Sequence, residues 1–366
     1  MYLQSLELTN FRNHHYFRKE FENNVVVLIG PNTVGKTNII EAVRFLSLFK
    51  SFRTSNSQDM ISWGKNLTRV TGEVADNKVI KKIFGALLKK DKNSPVKREV
   101  KINGAKTTTR QAVGTIQTVI FSPEDMQLIS SGPSQRRRYL DTVLGQLSQS
   151  YYTALRDYNR ALWQRNAILA QPYQSPEIEV WEEQLAGNGS IIITKRSSFI
   201  ELINKEVSSL YNNLAGTGNL ELTYQPRVLE PGVELLLSQD KIKKILTLSL
   251  QKSRNLDFRY KNTSVGPHRD DFLIKLNKRP IINHGSRGEW RSAILALKVA
   301  EKNYLKKISG SQPILLLDDV FSELDNSRRQ ALAGQIETSQ VFISTTDRHN
   351  LGTKIQKNAG LINLKK

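Results

Sequence analysis

The chain has 366 residues, 39% hydrophobic and 24% charged, with no cysteine and a formal net charge of +20. The missing thiols exclude disulfides, thiolate zinc sites and cysteine nucleophiles. A cationic surplus of this size points to a polyanionic partner, nucleic acid before an anionic membrane; the competing reading is a merely solvated basic surface.

At this length a sizeable core and two structural units are expected. The opening MYLQSLELTNFRNH alternates like a strand and lacks the order of a signal peptide. No apolar run is long enough to cross a bilayer, so a cytosolic protein without a membrane partner is expected. VVVLIG (Val25 to Gly30) is a β-branched run of the kind buried in a parallel sheet, and NIIEAVRFLSLF follows it with Ile39, Ile40, Val43 and Leu46 at helical spacing. From Arg69 to Lys106 alternating segments predict an antiparallel meander whose tip is basic at Lys89, Lys90, Lys92, Lys97 and Arg98.

The pattern changes near Arg136. Leu140, Leu144, Leu147, Tyr151, Leu155, Tyr158 and Leu162 predict one long amphipathic helix. Gln171 to Pro176 breaks it, and a second helical pattern runs from about Glu177 to Leu214 with Trp181, Leu185, Ile192, Phe199 and Ile203 inward, ended by GTGN. The pair reads as a helical hairpin arm inserted into an α/β domain. After Lys261 come strand and loop, a helix from Glu289, the strand in PILLLDDVFSELD, a short helix and the buried run QVFIST.

GPNTVGKT (Gly30 to Thr37) has the spacing and the strand–loop–helix setting of a phosphate-binding loop. Its backbone N–H groups can face a phosphate, Lys36 can reach the β- and γ-phosphates, and Thr37 can ligate Mg²⁺. In ILLLDD an apolar strand ends in Asp318, placed to hold that cation; Asp319 points to the other face, where a carboxylate can orient or deprotonate water. The structural alternative for such a pair is a helix cap or a solvated turn.

SRGEWR (Ser286 to Arg291) is similar to the signature turn of ABC-type ATPases, in which a serine and a glycine at a helix N-terminus contact the γ-phosphate held by the other subunit. The alternative is a simple helix cap, and Glu289 and Trp290 stand where glutamines are usual. LTNFRNH, SFRT, Pro123 to Asp141, GPHRDD (Gly266 to Asp271) and LLLDDVFSELD together resemble the RecF family of bacterial DNA replication and repair proteins, relatives of the structural-maintenance ATPases.

That resemblance implies an α/β fold: an ABC-type head, a mixed sheet with the phosphate loop plus an antiparallel meander, and an inserted helical arm lobe. The expected division is head in 1–120, arm in 121–255 and head again in 256–366. It further implies ATP and Mg²⁺ as cofactors, ATP-driven homodimerisation, weak DNA-stimulated hydrolysis, binding to duplex and single-strand/duplex junctions, and recombinase loading with RecO- and RecR-type mediators. By position it assigns Gly30, Asn32, Gly35, Lys36, Thr37 and Asn38 to the nucleotide, Arg12 to a basic residue approaching it, and Ser286, Gly288 and Arg291 to the signature. It also assigns Ser322 to Asp325 to the loop crossing the dimer interface, and Thr346 or Asp347 to the switch position of transporters. A glutamine loop falls somewhere in Phe121 to Gln127. Arg136 to Arg138 are open between a DNA contact, a cap on the arm helix and pinning of the arm to the head, and His268 between a structural and a nucleotide-sensing role. A transporter subunit, a nuclease of the overcoming-lysogenisation type and a decayed scaffold fit the motifs less well; a DNA-binding scaffold or chromosome clamp is the alternative function.

Overall fold

Alternation of apolar residues builds the first elements. β1 (Tyr2–Phe11) and β2 (His14–Glu20) form a hairpin, and β3 (Val25–Ile29) runs into the glycine-rich loop and α1 (Lys36–Leu48). β4 (Leu67–Asp76), β5 (Val79–Leu88), β6 (Lys97–Ile102) and β7 (Ala105–Thr107) make the meander, and a one-turn helix, α2 (Thr109–Ala112), leads to β8 (Thr118–Phe121). The computed structural model describes residues 1–76, 79–89, 94–172, 176–228, 237–336 and 338–365.

Among the described residues the antiparallel strands make a six-stranded sheet, β2-β1-β4-β5-β6-β7. Leu3, Leu6, Leu8 and Phe11 of β1 are buried, and the three-residue step from Leu3 to Leu6 is absorbed by a register shift between Leu3 and Ser5 against β4. α1 lies so close to this sheet that a Cβ on Gly85 would stand 2.7 Å from the Phe45 ring. Glycine there makes room for the helix that carries the phosphate loop.

The expected basic tip is only partly present. Lys89 is buried, Arg98 donates to Ser57 Oγ, and Lys97 is exposed at the start of β6. Beyond the exposed Leu88, the Lys89 N–H donates to the Asn66 carbonyl at 2.8 Å; Lys90 and Lys92 lie outside the described residues.

α3 (Gln127–Ser130), α4 (Pro133–Leu147), α5 (Gln149–Leu169), α6 (Ile178–Asn204) and α7 (Val207–Ala215) follow, then β9 (Leu220–Gln225), α8 (Gln239–Tyr260), β10 (Asp271–Leu276), β11 (Arg279–Pro280) and α9 (Ile281–His284). The single long helix expected from Leu140 onward is two helices. Ser148 separates them, its Oγ accepting from the Tyr151 N–H as the N-cap of α5. The expected hairpin is likewise larger, because α8 packs along α6 beside α5 and a three-stranded sheet, β11-β10-β9, completes the layer.

α10 (Arg287–Ser309), β12 (Ile314–Asp318), α11 (Asn326–Ile336), β13 (Val341–Thr345), α12 (Thr353–Asn358) and β14 (Ala359–Asn363) close the chain. β14-β3-β13-β12-β8 form a parallel sheet whose strands β3, β13, β12 and β8 are apolar and buried, with β14 as a part-exposed edge. Its register aligns Leu28 with Ser344 and Ser344 with Asp318, so the acidic end of β12 stands at the same carboxyl edge as the loop after β3.

The chain divides into two compact units, Met1–Asp125 with Asn213–Gly216 and Ser292–Lys366, and Met126–Asn212 with Thr217–Arg291. Residues 256–291, grouped with the head on sequence grounds, fall in the second unit, where β10 pairs with β9. Among the described residues no helix is long and apolar enough to cross a membrane.

Candidate nucleotide-binding site

The first unit carries the phosphate loop. Thr33 and Gly35 adopt left-handed backbone (φ 73° and 107°), curling the chain before α1 begins. At Gly35 a side chain is excluded twice over, since a Cβ would also stand 2.6 Å from Asn13 Oδ1 and against the His14 ring. Lys36 donates to the Gly30 and Pro31 carbonyls at 2.7 and 2.9 Å, so its ammonium lies inside the curl. Burial lowers its pKa, opposed by the charges of Asp319 and Asp318.

Thr37 and Asp318 meet: the Thr37 hydroxyl donates to Asp318 Oδ1 at 2.9 Å, and Ser344 Oγ donates to the same oxygen at 2.6 Å. Burial raises the Asp318 pKa, with the Ser344 and Thr37 hydrogen bonds holding it down. Asp319 is in left-handed backbone (φ 52°), its N–H bonded to Ser344 Oγ at 2.9 Å. Its Oδ1 is buried and accepts no hydrogen bond among the described residues. Two hard oxygens at one point, a cation in the curl and an unsatisfied carboxylate oxygen fit a Mg²⁺–phosphate ligand, since Mg²⁺ takes one or two protein oxygens and completes its shell with phosphate and water. Among the described residues there is no denser cluster of His, Asp or Glu that would hold a metal without such a ligand.

Arg12 is held by α1 and the turn at Asp59. Its guanidinium grips the fully buried Glu41 of α1 at 2.9 and 2.6 Å and donates to the Asp59 carbonyl at 2.7 Å. The residues after it touch the loop instead: Asn13 donates to the Thr33 carbonyl at 3.3 Å, and His14 Nε2 lies 3.0 Å from the Gly35 carbonyl. Asn38 donates to Asn13 at 2.7 Å and accepts from Arg53 of SFRT at 3.0 Å. Asn32 is exposed. Asn13, His14, Glu41, Arg53 and Ser344 have no role in the sequence reading; a glutamate among the inward residues Ile39, Ile40 and Val43 was the one legible sign.

Around this centre, Ser322 Oγ bonds the Asp319 carbonyl at 2.7 Å, and Asp325 caps α11 by accepting from the Arg328 N–H at 2.9 Å. Thr346 and Asp347 are exposed beyond β13. In the window proposed for a glutamine loop, Asp125 accepts from Lys298 at 3.0 Å, and Glu124 is close enough to raise the Asp318 pKa.

The serine-led turn belongs to the second unit and is built as a reciprocal cap. Ser286 Oγ accepts from the Glu289 N–H at 3.2 Å while Glu289 accepts from the Ser286 N–H at 2.7 Å. This explains a glutamate at 289, and Trp290 is fixed by donating to the Ile281 carbonyl at 2.9 Å. Ser286 remains exposed.

Also in the second unit, Arg136 makes a two-pronged pair with Asp271 (2.7 and 2.9 Å) and Arg137 donates to the Asp270 carbonyl at 2.8 Å. These two arginines pin α4 to β10; Arg138 is exposed. His268 bonds Tyr158 OH at 2.6 Å and the Thr263 carbonyl at 3.0 Å, and burial drives its pKa down to about 4, so it is a neutral part of the core at pH 7.

The family model for the RecF/RecN/SMC N-terminal domain matches residues 2–366. A curated relative, the DNA replication and repair protein RecF of Streptococcus uberis, is 39% identical over 357 residues, 96% of this chain and 94% of that protein. The chain belongs to the RecF family. Two solved structures of the recombination mediator protein RecF, described with ATPrS and with ATP in the RecFOR pathway, are similar to it. They have TM-scores of 0.90 and 0.87 at 33% and 35% identity, covering 100% and 95% of this chain and 96% and 94% of theirs. The α/β architecture, an ABC-type head with an inserted lobe, is that of the family.

Proposed function

We propose that this chain is an ATP-binding protein of DNA replication and repair that uses nucleotide to close a homodimer on DNA. The convergence of Lys36, Thr37, Asp318 and Asp319 at one sheet edge carries the reading. Membership in the RecF family and likeness to ATP-bound relatives support it.

Thr37 and Asp318 would hold Mg²⁺, which would supply neutralisation of phosphate charge. Lys36 leaves the loop carbonyls for the phosphates, a short swing because it is already inside the curl. Asp319 is suited to orient the attacking water, and its unpaired Oδ1 is the acceptor for that proton. Hydrolysis is expected to be slow and DNA-stimulated. Ser286 and Gly288, at the tip of a capped helix, would meet the γ-phosphate of the partner copy. Asn32, Asn38 and the Arg12 turn complete the nucleotide surround, Arg12 acting through Glu41. Duplex and junction DNA and mediators of the RecO and RecR type are the proposed partners, with the second unit acting as the arm and the first as the head.

Sedimentation of the purified chain with and without ATP and duplex DNA tests this. A monomer–dimer shift with ATP is expected, retained ATP binding without that shift in Ser286→Arg, and no nucleotide use in Lys36→Arg. An unaltered ATP-driven dimer in Ser286→Arg would refute the shared site.

A further inference from the structure

α8 was invisible as a functional element in the sequence, yet its surface is chemically one-sided. Ile242, Leu246 and Leu250 face inward, and Asp257 is buried beneath Arg165. Two of its cations are spent internally, Lys243 on Glu183 and Arg254 on Glu179 and Glu182, all three acceptors on α6. Lys241, Lys244, Lys252 and Arg259 remain exposed, and none has an ion-pair partner among the described residues.

At 3.6 residues per turn these four side chains fall within an arc of about 80°, with Leu248 in its middle, and span roughly 27 Å of helix. The other carboxylate of α8, Asp240, is in the first turn, where the helix N-terminus favours it. We propose that this outer face of α8 is a phosphate-tracking ridge that binds the backbone of duplex DNA. The proposal rests on the DNA-binding reading above and gives it a surface.

Three physical points select this occupant. A protein partner would present a charge-depleted apolar centre, whereas within this arc lysines and an arginine surround one leucine, and the exposed Leu256 and Tyr260 lie to one side of it. Unpaired exposed cations cost little to desolvate against phosphate and release counterions on contact. A ridge of roughly 27 Å lies alongside about eight phosphates of one strand, enough for each cation to find one without base contacts, so sequence-independent binding follows.

The test is a salt titration of duplex binding by the full chain, followed by fluorescence anisotropy. Removing the four charges together (Lys241→Ala, Lys244→Ala, Lys252→Ala and Arg259→Ala) is expected to lower the slope of log affinity against log salt by about 3.6, at about 0.9 per phosphate contact. Swapping lysine for arginine and arginine for lysine at the same positions should restore the slope, and Leu248→Ser should leave it unchanged. A steep slope kept by the four-alanine variant overturns the ridge while leaving DNA binding intact. Loss of affinity in Leu248→Ser at unchanged slope overturns it in favour of an apolar protein interface. A parent chain that does not bind duplex at any salt overturns both the ridge and the function it rests on.

Discussion

Two buried clusters of charge in this protein obey different rules. In the second unit Arg165, fully buried, donates to Glu182, Asp257 and Thr263 at 2.8–3.2 Å, and Arg196, also buried, is held by Asp141, Tyr151 and the Pro267 carbonyl at 2.8–3.1 Å. The donors there are matched to acceptors within the fold. At the edge of the parallel sheet in the first unit, Lys36 rests on its own loop's carbonyls and Asp319 Oδ1 has no partner among the described residues. The Arg165 and Arg196 clusters are satisfied within the fold, whereas at the sheet edge an unsatisfied carboxylate oxygen stands beside a loop-held ammonium, the combination that suits a ligand.

The contrast breaks most visibly at Arg165. Arg165→Ala leaves Asp257 buried without its cation and Glu182 with Arg254 alone, so the second unit is expected to lose about 3–5 kcal/mol, read as a lower urea midpoint. Equal stability would mean that solvent reaches this cluster and that it is not saturated architecture. Asp319→Asn is the mirror experiment. Asparagine tolerates the left-handed backbone at 319, and the bond to Ser344 is made by the backbone N–H, so stability and ATP affinity should hold. The ATP hydrolysis rate should fall by about 100-fold or more. A fall in stability with hydrolysis intact would place Asp319 with the structural group instead.

These two clusters also differ in how far the sequence revealed them. The phosphate loop and the acidic strand were legible because each is contiguous: a spacing of glycines fixes a curl, and an apolar run ending in aspartates fixes a sheet edge. Ser344 was not, since its role depends on the register that sets it between Leu28 and Asp318. The resemblance assigns Arg12 to the nucleotide; Glu41, 29 positions away by chain and adjacent in space, holds its guanidinium. The arm was underestimated for a related reason. Helical periodicity passes smoothly across Ser148, and only its cap geometry reveals two helices. For the arginines at 136 and 137 the sequence leaves a DNA contact and a structural pin equally open, and their partners come from Asp270 and Asp271, distant in the chain.

The serine-led turn sits between the two categories, and a smaller effect is expected there. Ser286→Ala removes one half of a reciprocal cap and should cost about 1 kcal/mol of stability. Glu289→Gln keeps the cap's geometry and should cost less, while leaving Ser286 Oγ able to serve a phosphate. If the alanine variant loses ATP-driven dimerisation while Glu289→Gln keeps it, the hydroxyl acts on the partner's nucleotide and not only as a cap.

The smallest effect has the opposite sign. Burial raises the Asp318 pKa above its ordinary value near 3.8, so the folded chain holds this proton more readily than the unfolded one. The stability this group contributes is therefore present below that ordinary value and is lost as pH rises through the higher folded one. A permanently neutral side chain escapes that loss: Asp318→Asn should make the ATP-free chain slightly more stable at pH 7, with the advantage shrinking as the pH approaches 4. Thermal melts at the two pH values would check it, and a variant less stable than the parent at pH 7 would mean that the Thr37 and Ser344 bonds outweigh desolvation. Adding ATP and Mg²⁺ should reverse the order, because ligand stabilises the folded chain in proportion to its affinity and the parent keeps the charged oxygen. A carboxylate that destabilises the empty protein and stabilises the loaded one is retained for the ligand, whereas Arg165 and its partners stabilise the fold under both conditions.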